Sequence, residues 1–253
     1  MKRITRGVVK LLLLVSVTSI VGWYGLKYYF RDINRISTQV RNKVIVQLQT
    51  QHSLFLSYDD IPTIYREAVI ATEDRSFSIN KGIDLRGTLR AVKVDISHEH
   101  PLQGGSTITQ QLIHNTLLAN TSKSFPQKFL ESIYAIGLYD TMSKQETFAF
   151  YANVIYFGHG ANGLYQAAEK YFGRTPSELN AGELTMLAGI PNAPSVYDPY
   201  HNLILARQRQ RIVVQCMVDN GVINKSQAEQ ILSEPLELKG SISSSGKANL
   251  ILV

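Results

Sequence analysis

The stretch IPTIYREAVIATED, residues 61–74, decides the fold class. Asp60 precedes it and Pro62 stands in its first turn, where a missing amide costs nothing. Ile61, Ile64, Ala68 and Ala71 then fall on one face at helical spacing. The run closes on Glu73 and Asp74. A carboxylate there faces the negative end of the helix dipole, which suits it to act as a base. On composition alone, a solvated acidic pair at a fraying helix end is the commoner outcome.

Outward from this helix, further helices are predicted over 107–119, 126–142, 144–154, 164–171, 177–188 and 203–218. Gly158-His159-Gly160 and Pro191-Asn192-Ala193-Pro194 interrupt the series. A mainly α domain over 61–220 follows, with a C-terminal extension over 221–253 whose SISSSG segment near Ser241 reads as a loose tail. Residues 31–60 read as a connector, in which the alternating KVIVQLQ (43–49) suggests a short strand.

Residues 1–30 read as a basic cytoplasmic stub and a transmembrane anchor. Lys2, Arg3 and Arg6 precede an uncharged stretch over 11–26. Snorkelling of Lys10 and Lys27 extends it towards the ~20 residues a bilayer requires. Trp23, Tyr24, Tyr28 and Tyr29 supply an interfacial aromatic belt. With no small-x-small cleavage pattern after the apolar run, an uncleaved single-pass anchor with the remaining chain external is expected.

The chain has 253 residues, 44% hydrophobic, and a formal net charge of +6. That suffices for one sizeable core, or a core with a small lobe. The basic balance suits anionic headgroups or a phosphorylated substrate, and no nucleic-acid-binding motif is present. The single cysteine, Cys216 in IVVQCMV, excludes an internal disulfide and reads as core.

Two further segments carry chemistry. In PQKFLESIYAIGLYD (126–140), Phe129, Ile133, Ile136 and Tyr139 form an apolar stripe beside which Glu131 lies one turn from Lys128. An ordinary Lys–Glu surface pair is the bland alternative to a carboxylate and cation facing one cleft. In GGSTITQQLIHN (104–115), two glycines lead into a helix whose Thr107-x-x-Gln110 has capping-box spacing. A helix N-terminus behind a glycine turn offers amides to an anion, though a capped helix without a ligand accounts equally for GGST alone.

Six motifs in order settle the matter: ATEDRSF (71–77), GIDLRGTLRA (82–91), QGGSTITQQL (103–112), KFLE (128–131), SKQETFAFYANVIYFGHGANGLYQAAEKYFGR (143–174) and LTMLAGIPNAPSVYDP (184–199). Their order and spacing resemble the peptidoglycan glycosyltransferases, over about 61–217, and specifically the monofunctional type. The resemblance implies a lysozyme-like helical domain with a small, flexible, membrane-facing lobe over about 88–125. It implies a bacterial inner-membrane enzyme, its catalytic domain on the outer face. Such enzymes polymerise lipid II into β-1,4-linked glycan strands with inversion and release of polyprenyl pyrophosphate. By motif, Glu73 matches the base that deprotonates the acceptor hydroxyl, and Glu131 the second acid, acting at the pyrophosphate directly or through a divalent ion, Mg or Mn. Asp74, Phe77, Gly105, Ser106, Thr107, Gln110, Gln111, His114, Asn115 and Lys128 are the implied substrate-binding residues. No organic cofactor is implied; the partners are lipid II, the growing strand, the membrane and other cell-wall synthesis proteins.

The sequence departs from the family at Asn80, where histidine is usual, at His114, where lysine is usual, and at Gln127, where arginine is usual. Tyr139 and Ala149 also stand where acids are common. Loss of fixed positive charge near the leaving group predicts reduced activity. His114 restores charge only when protonated, so activity favoured by acid is expected. A degenerate homologue that binds lipid II without turnover, and a lysozyme-like hydrolase, are the alternatives. The segment DISHEH (95–100) lacks the i,i+4 histidine pair of a helical zinc site and reads as solvated.

Overall fold

The computed structural model describes residues 2–84, 105–119, 121 and 124–240, with backbone alone at 2–12, 26–34 and 125. Among the described residues the chain forms α1 (Lys2–Gln51), α2 (Thr63–Glu73), α3 (Ile108–Leu117), α4 (Phe125–Thr141), α5 (Lys144–Val154), α6 (Leu164–Tyr171), α7 (Ala181–Gly189), α8 (Leu203–Asp219) and α9 (Lys225–Ser233). Short 3-10 turns lie at Pro176–Glu178 and Ile190–Asn192. A single bridge, Tyr156 to Asn162, is the β pairing recorded among them. The fold is mainly α, as expected. Most of the membrane-facing lobe, the DISHEH segment and the SISSSG tail lie outside the described residues.

Two expectations need correction. The strand over 43–49 is absent, because α1 continues through it. Ile36, Val40, Val44 and Leu48 are buried at every fourth position while Ile45 and Val46 stay exposed, so a helical stripe outweighs the short alternation. Residues 31–51 are thus helix. The helix expected over 177–188 is split, because Asn180 accepts from the Glu183 amide and receives that side chain in return, starting α7 afresh. The C-terminal extension carries α9, opened by an Asn224–Gln227 capping box.

Packing follows from these stripes. α2 packs on α7 and α8; α3 packs on α4 and α5; the C-terminal half of α1 lies across α3, α4 and α5. Tyr65, Ile108, Leu112, Phe148, Tyr151, Phe157, Leu164 and Tyr171 are fully enclosed in one continuous core. Arg41 on α1 grips Glu146 on α5 through Nε (2.7 Å) and Nη2 (2.9 Å). Further up α1, Leu13, Leu14, Val15, Val17, Ile20, Val21, Trp23 and Tyr24 are exposed. Among the described residues no helix is long and apolar enough to cross a membrane.

Two buried polar knots hold loops to this core. Asn153 accepts from the Leu56 amide (2.9 Å) and donates to the Leu56 carbonyl (2.8 Å) and the Ala149 carbonyl (2.7 Å). Asp74, just past α2, accepts from the Ile108 amide at the start of α3 (3.0 Å) and from Asn80 Nδ2 (2.8 Å) and Ser76 (3.2 Å). Lys144 reaches Asn80 Oδ1 from α5 (2.8 Å). In the same loop Gly82 is left-handed (φ +86°), and a Cβ there would sit 2.3 Å from the Ala135 carbonyl oxygen of α4.

Replacing Asn153 by Ala orphans both Leu56 backbone groups and should lower stability by about 2–4 kcal/mol, measurable by urea unfolding. Asp74 tests the second knot. Burial pushes its carboxyl upward, against the bonds from Ile108, Asn80 and Ser76 and the charge of Lys144. A raised folded value means the folded state holds the proton more tightly. Its contribution to stability is present below the unfolded value of about 3.9 and is lost as pH rises through the folded one. The stability advantage of wild type over Asp74→Asn should therefore shrink as pH rises from about 3.9 through the weakly acid range, and an advantage that grows would reverse the sign.

Candidate active site

Glu73 is the last residue of α2, where the backbone leaves the helix at Asp74 (φ −153°, ψ 71°). The two neighbouring acids part at this point. Asp74 turns inward to its knot, while Glu73 faces a cavity of about 750 Å³. The Glu73 side chain is only 7% exposed and is held from two elements. Arg209 on α8 donates through Nη2 to Oε1 (3.3 Å), and Gln111 on α3 donates through Nε2 to Oε2 (3.1 Å). Beneath it, burial together with the Glu73 charge pushes the Tyr65 and Tyr151 phenols well up, so both stay neutral.

Glu131 lines the same cavity from α4, with 6% of its side chain exposed. Lys128, one turn back, donates to Glu131 Oε1 and to Ser106 Oγ (2.6 Å). His114 Nδ1 stands 3.6 Å from Glu131 Oε2. The cavity is thus lined by two carboxylates brought from separate helices, with cationic or titratable groups gathered on the Glu131 side. As a metal site the donor set fits poorly. One carboxylate, already bonded by an ammonium, gives a divalent ion too few oxygen ligands.

Of the residues singled out in the sequence, Glu73, Ser106, Gln111, His114, Asn115, Lys128 and Glu131 line the cavity together, joined by the departing residue Gln127. Others serve the frame instead. Thr107 caps α3, shares a capping box with Gln110 and donates to the Gly82 carbonyl (2.6 Å). Gln110 is buried and donates to Ser132 (3.1 Å). Phe77 is buried edge-on against Phe148 with Lys144 over its ring. Asp74 is spent in its knot, and Gly105 precedes Ser106 without lining the cavity. Capping and core roles put such residues in the same motifs as cavity-lining ones.

Sequence reasoning missed Arg209. The structure supplies the signal: Ala206, Arg209, Gln210, Val213 and Met217 share the buried face of α8. An arginine in such a stripe requires a buried anionic partner. Also missed were Ile155, Tyr156, Pro191, Asn192 and Pro194, which form another wall of the cavity.

Comparison with known proteins agrees with these motifs. Residues 41–218 match the family model described as Transglycosylase. The chain is 34% identical over 230 residues to penicillin-binding protein 1A of Neisseria flavescens, covering 91% of this chain and 29% of that protein. It is 38% identical over 175 residues to penicillin-binding protein 2D of Bacillus subtilis, covering 69% of this chain and 25% of that one. The chain therefore spans less than a third of the length of these relatives. Among solved structures, penicillin-binding protein 1A of Haemophilus influenzae aligns over 74% of this chain and 18% of that one, with TM-score 0.43 and 22% identity. The chain belongs to the transglycosylase family, as its motifs indicated.

Proposed function

We propose that the chain is a membrane-anchored peptidoglycan glycosyltransferase that extends glycan strands from lipid II. The observation that carries this reading is the meeting of Glu73 and Glu131 in one cavity with Lys128 bonded to the second. In the reaction, Glu73 takes the proton from the acceptor 4-hydroxyl as that oxygen attacks the anomeric carbon of the donor. The bond to the pyrophosphate breaks on the opposite face, so configuration inverts. Negative charge grows on the leaving group, and Lys128 is placed to neutralise it. Arg209 and Gln111 hold the Glu73 carboxylate in register from behind. No step needs an ion bound by protein residues alone.

Anchoring rests on α1. The apolar side chains at 13–24 contact solvent rather than the domain, and the hydroxyls among them are satisfied within the helix. Ser16 bonds to the Leu13 carbonyl (2.8 Å), Thr18 to that of Leu14 (3.0 Å) and Ser19 to that of Val15 (2.8 Å). This is how a hydroxyl is tolerated among lipid tails. The stub is cytoplasmic and the domain external in this reading.

With labelled lipid II, the full chain should yield polymer, and Glu73→Gln should reduce the rate by at least about a thousandfold. Binding without turnover in the parent would favour a degenerate homologue, and cleavage of preformed glycan a hydrolase. Adding a fixed charge through His114→Lys should raise the rate most at pH 8 and least at pH 6; identical profiles for the two proteins would exclude a charge role for His114. Arg209→Met should cut the rate by about a hundredfold or more by unseating the base, read alongside urea stability to separate misfolding from misplacement.

A further inference from the structure

Two loops that help wall the cavity also meet beyond it. One joins α5 to α6, and the other runs from the Ile190–Asn192 turn to α8. In the first, Gly158 (φ +84°), His159 (φ +50°) and Gly160 (φ +74°) are all left-handed. A histidine in that region is uncommon, and surroundings must hold it there. What holds it is Asp198 of the second loop. His159 Nδ1 lies 2.7 Å from Asp198 Oδ2, and His201 Nδ1 reaches the same oxygen, also at 2.7 Å. The two imidazoles stack, with centroids 5.2 Å apart and planes 30° from parallel. The other carboxylate oxygen is fixed by the Tyr200 amide (2.9 Å).

We propose that His159, Asp198 and His201 form a binding site for a divalent transition-metal ion of the zinc class. Their three ligand atoms lie within 4.8 Å of one another. Two imidazoles and one carboxylate are the donor set of zinc and its neighbours, whereas magnesium and calcium take oxygen throughout. Tetrahedral bonds of 2.0–2.1 Å space ligands about 3.3 Å apart, so the ion needs each imidazole to back away by about half an ångström. His201, with 73% of its side chain exposed, is free to supply that movement and leaves a fourth position open to water. Asp198 is nearly enclosed (6%), and the rings of Tyr171 and Tyr200 flank His159 at 6.0 and 5.4 Å, giving the site a fixed back and an open front.

The ion would pin two loops that together wall the cavity, since the first contributes Ile155 and Tyr156 and the second, with the turn that opens it, contributes Pro191, Asn192 and Pro194. Glu73 and Glu131 are not among its ligands. The inference is thus independent of glycosyl transfer, and its test reads binding. Metal-free full-length protein in detergent is titrated with Co²⁺, followed by its visible absorption and by displacement with Zn²⁺. One equivalent should bind, and zinc should raise the melting temperature. His201→Asn should weaken binding about tenfold or more and remove the thermal shift. Adding His159→Asn, a residue that tolerates the left-handed backbone, should abolish binding. His114→Asn, the control histidine at the cavity, should bind as the parent does. No binding by the parent, or undiminished binding by the double variant, would overturn the proposal. Should the double variant fail to fold, the exposed His201→Asn decides alone.

Discussion

The buried ion pair between Glu73 and Arg209 sets the terms for the whole cavity. Both side chains are almost wholly enclosed, at 7% and 2% exposure. Two charges taken out of water repay their desolvation only when they stay together with good additional bonds, and stripping one partner typically costs about 3–5 kcal/mol. The end of α2 is thereby obliged to face α8, and Gln111 of α3 completes the carboxylate's coordination. Three helices converge on one acid, and the cavity it faces is walled further by α4 and by loop residues from Ile155 to Pro194. A carboxylate seated this way is held in one orientation by partners from two other helices.

The adjacent acid shows how finely this depends on the backbone. Glu73 still has helical geometry, whereas Asp74 has left it, so their side chains diverge. Asp74 then does for α3 what a capping side chain does, accepting from the Ile108 amide at that helix's first turn. One carboxylate binds α2 to α3 through the protein interior, and its neighbour binds α2 to α8 at the cavity edge. The framework and the proposed base are therefore two consecutive residues of one turn, and neither can shift without the other.

Much of this was legible in the sequence, for definable reasons. Helices such as α5 and α6 showed because their caps and stripes are local. The pairing of Glu73 with Glu131 in one cavity was legible only through the family's motifs, since nothing local links α2 to α4. Three things escaped. Residues 43–49 of α1 looked like a strand, because KVIVQLQ alternates over a span too short to reveal its four-residue stripe. The framework roles of Thr107, Gln110, Asp74 and Phe77 were hidden, because a motif does not say which of its residues line a cavity and which hold the loop that does. Arg209 went unnoticed because a buried cation is intelligible only once its distant acid is in place.

The charge arrangement near Glu131 bears on any anionic ligand. Lys128 already serves two acceptors, Glu131 and Ser106, and the position beside it where the family carries arginine is the neutral Gln127. An ammonium has three N–H donors, so Lys128 can meet an anionic ligand in the cavity while keeping both of these bonds. Within reach stands His114, 3.6 Å from the other Glu131 oxygen and about one-third exposed. Lys128 and His114 thus bracket the Glu131 carboxylate, one against each oxygen.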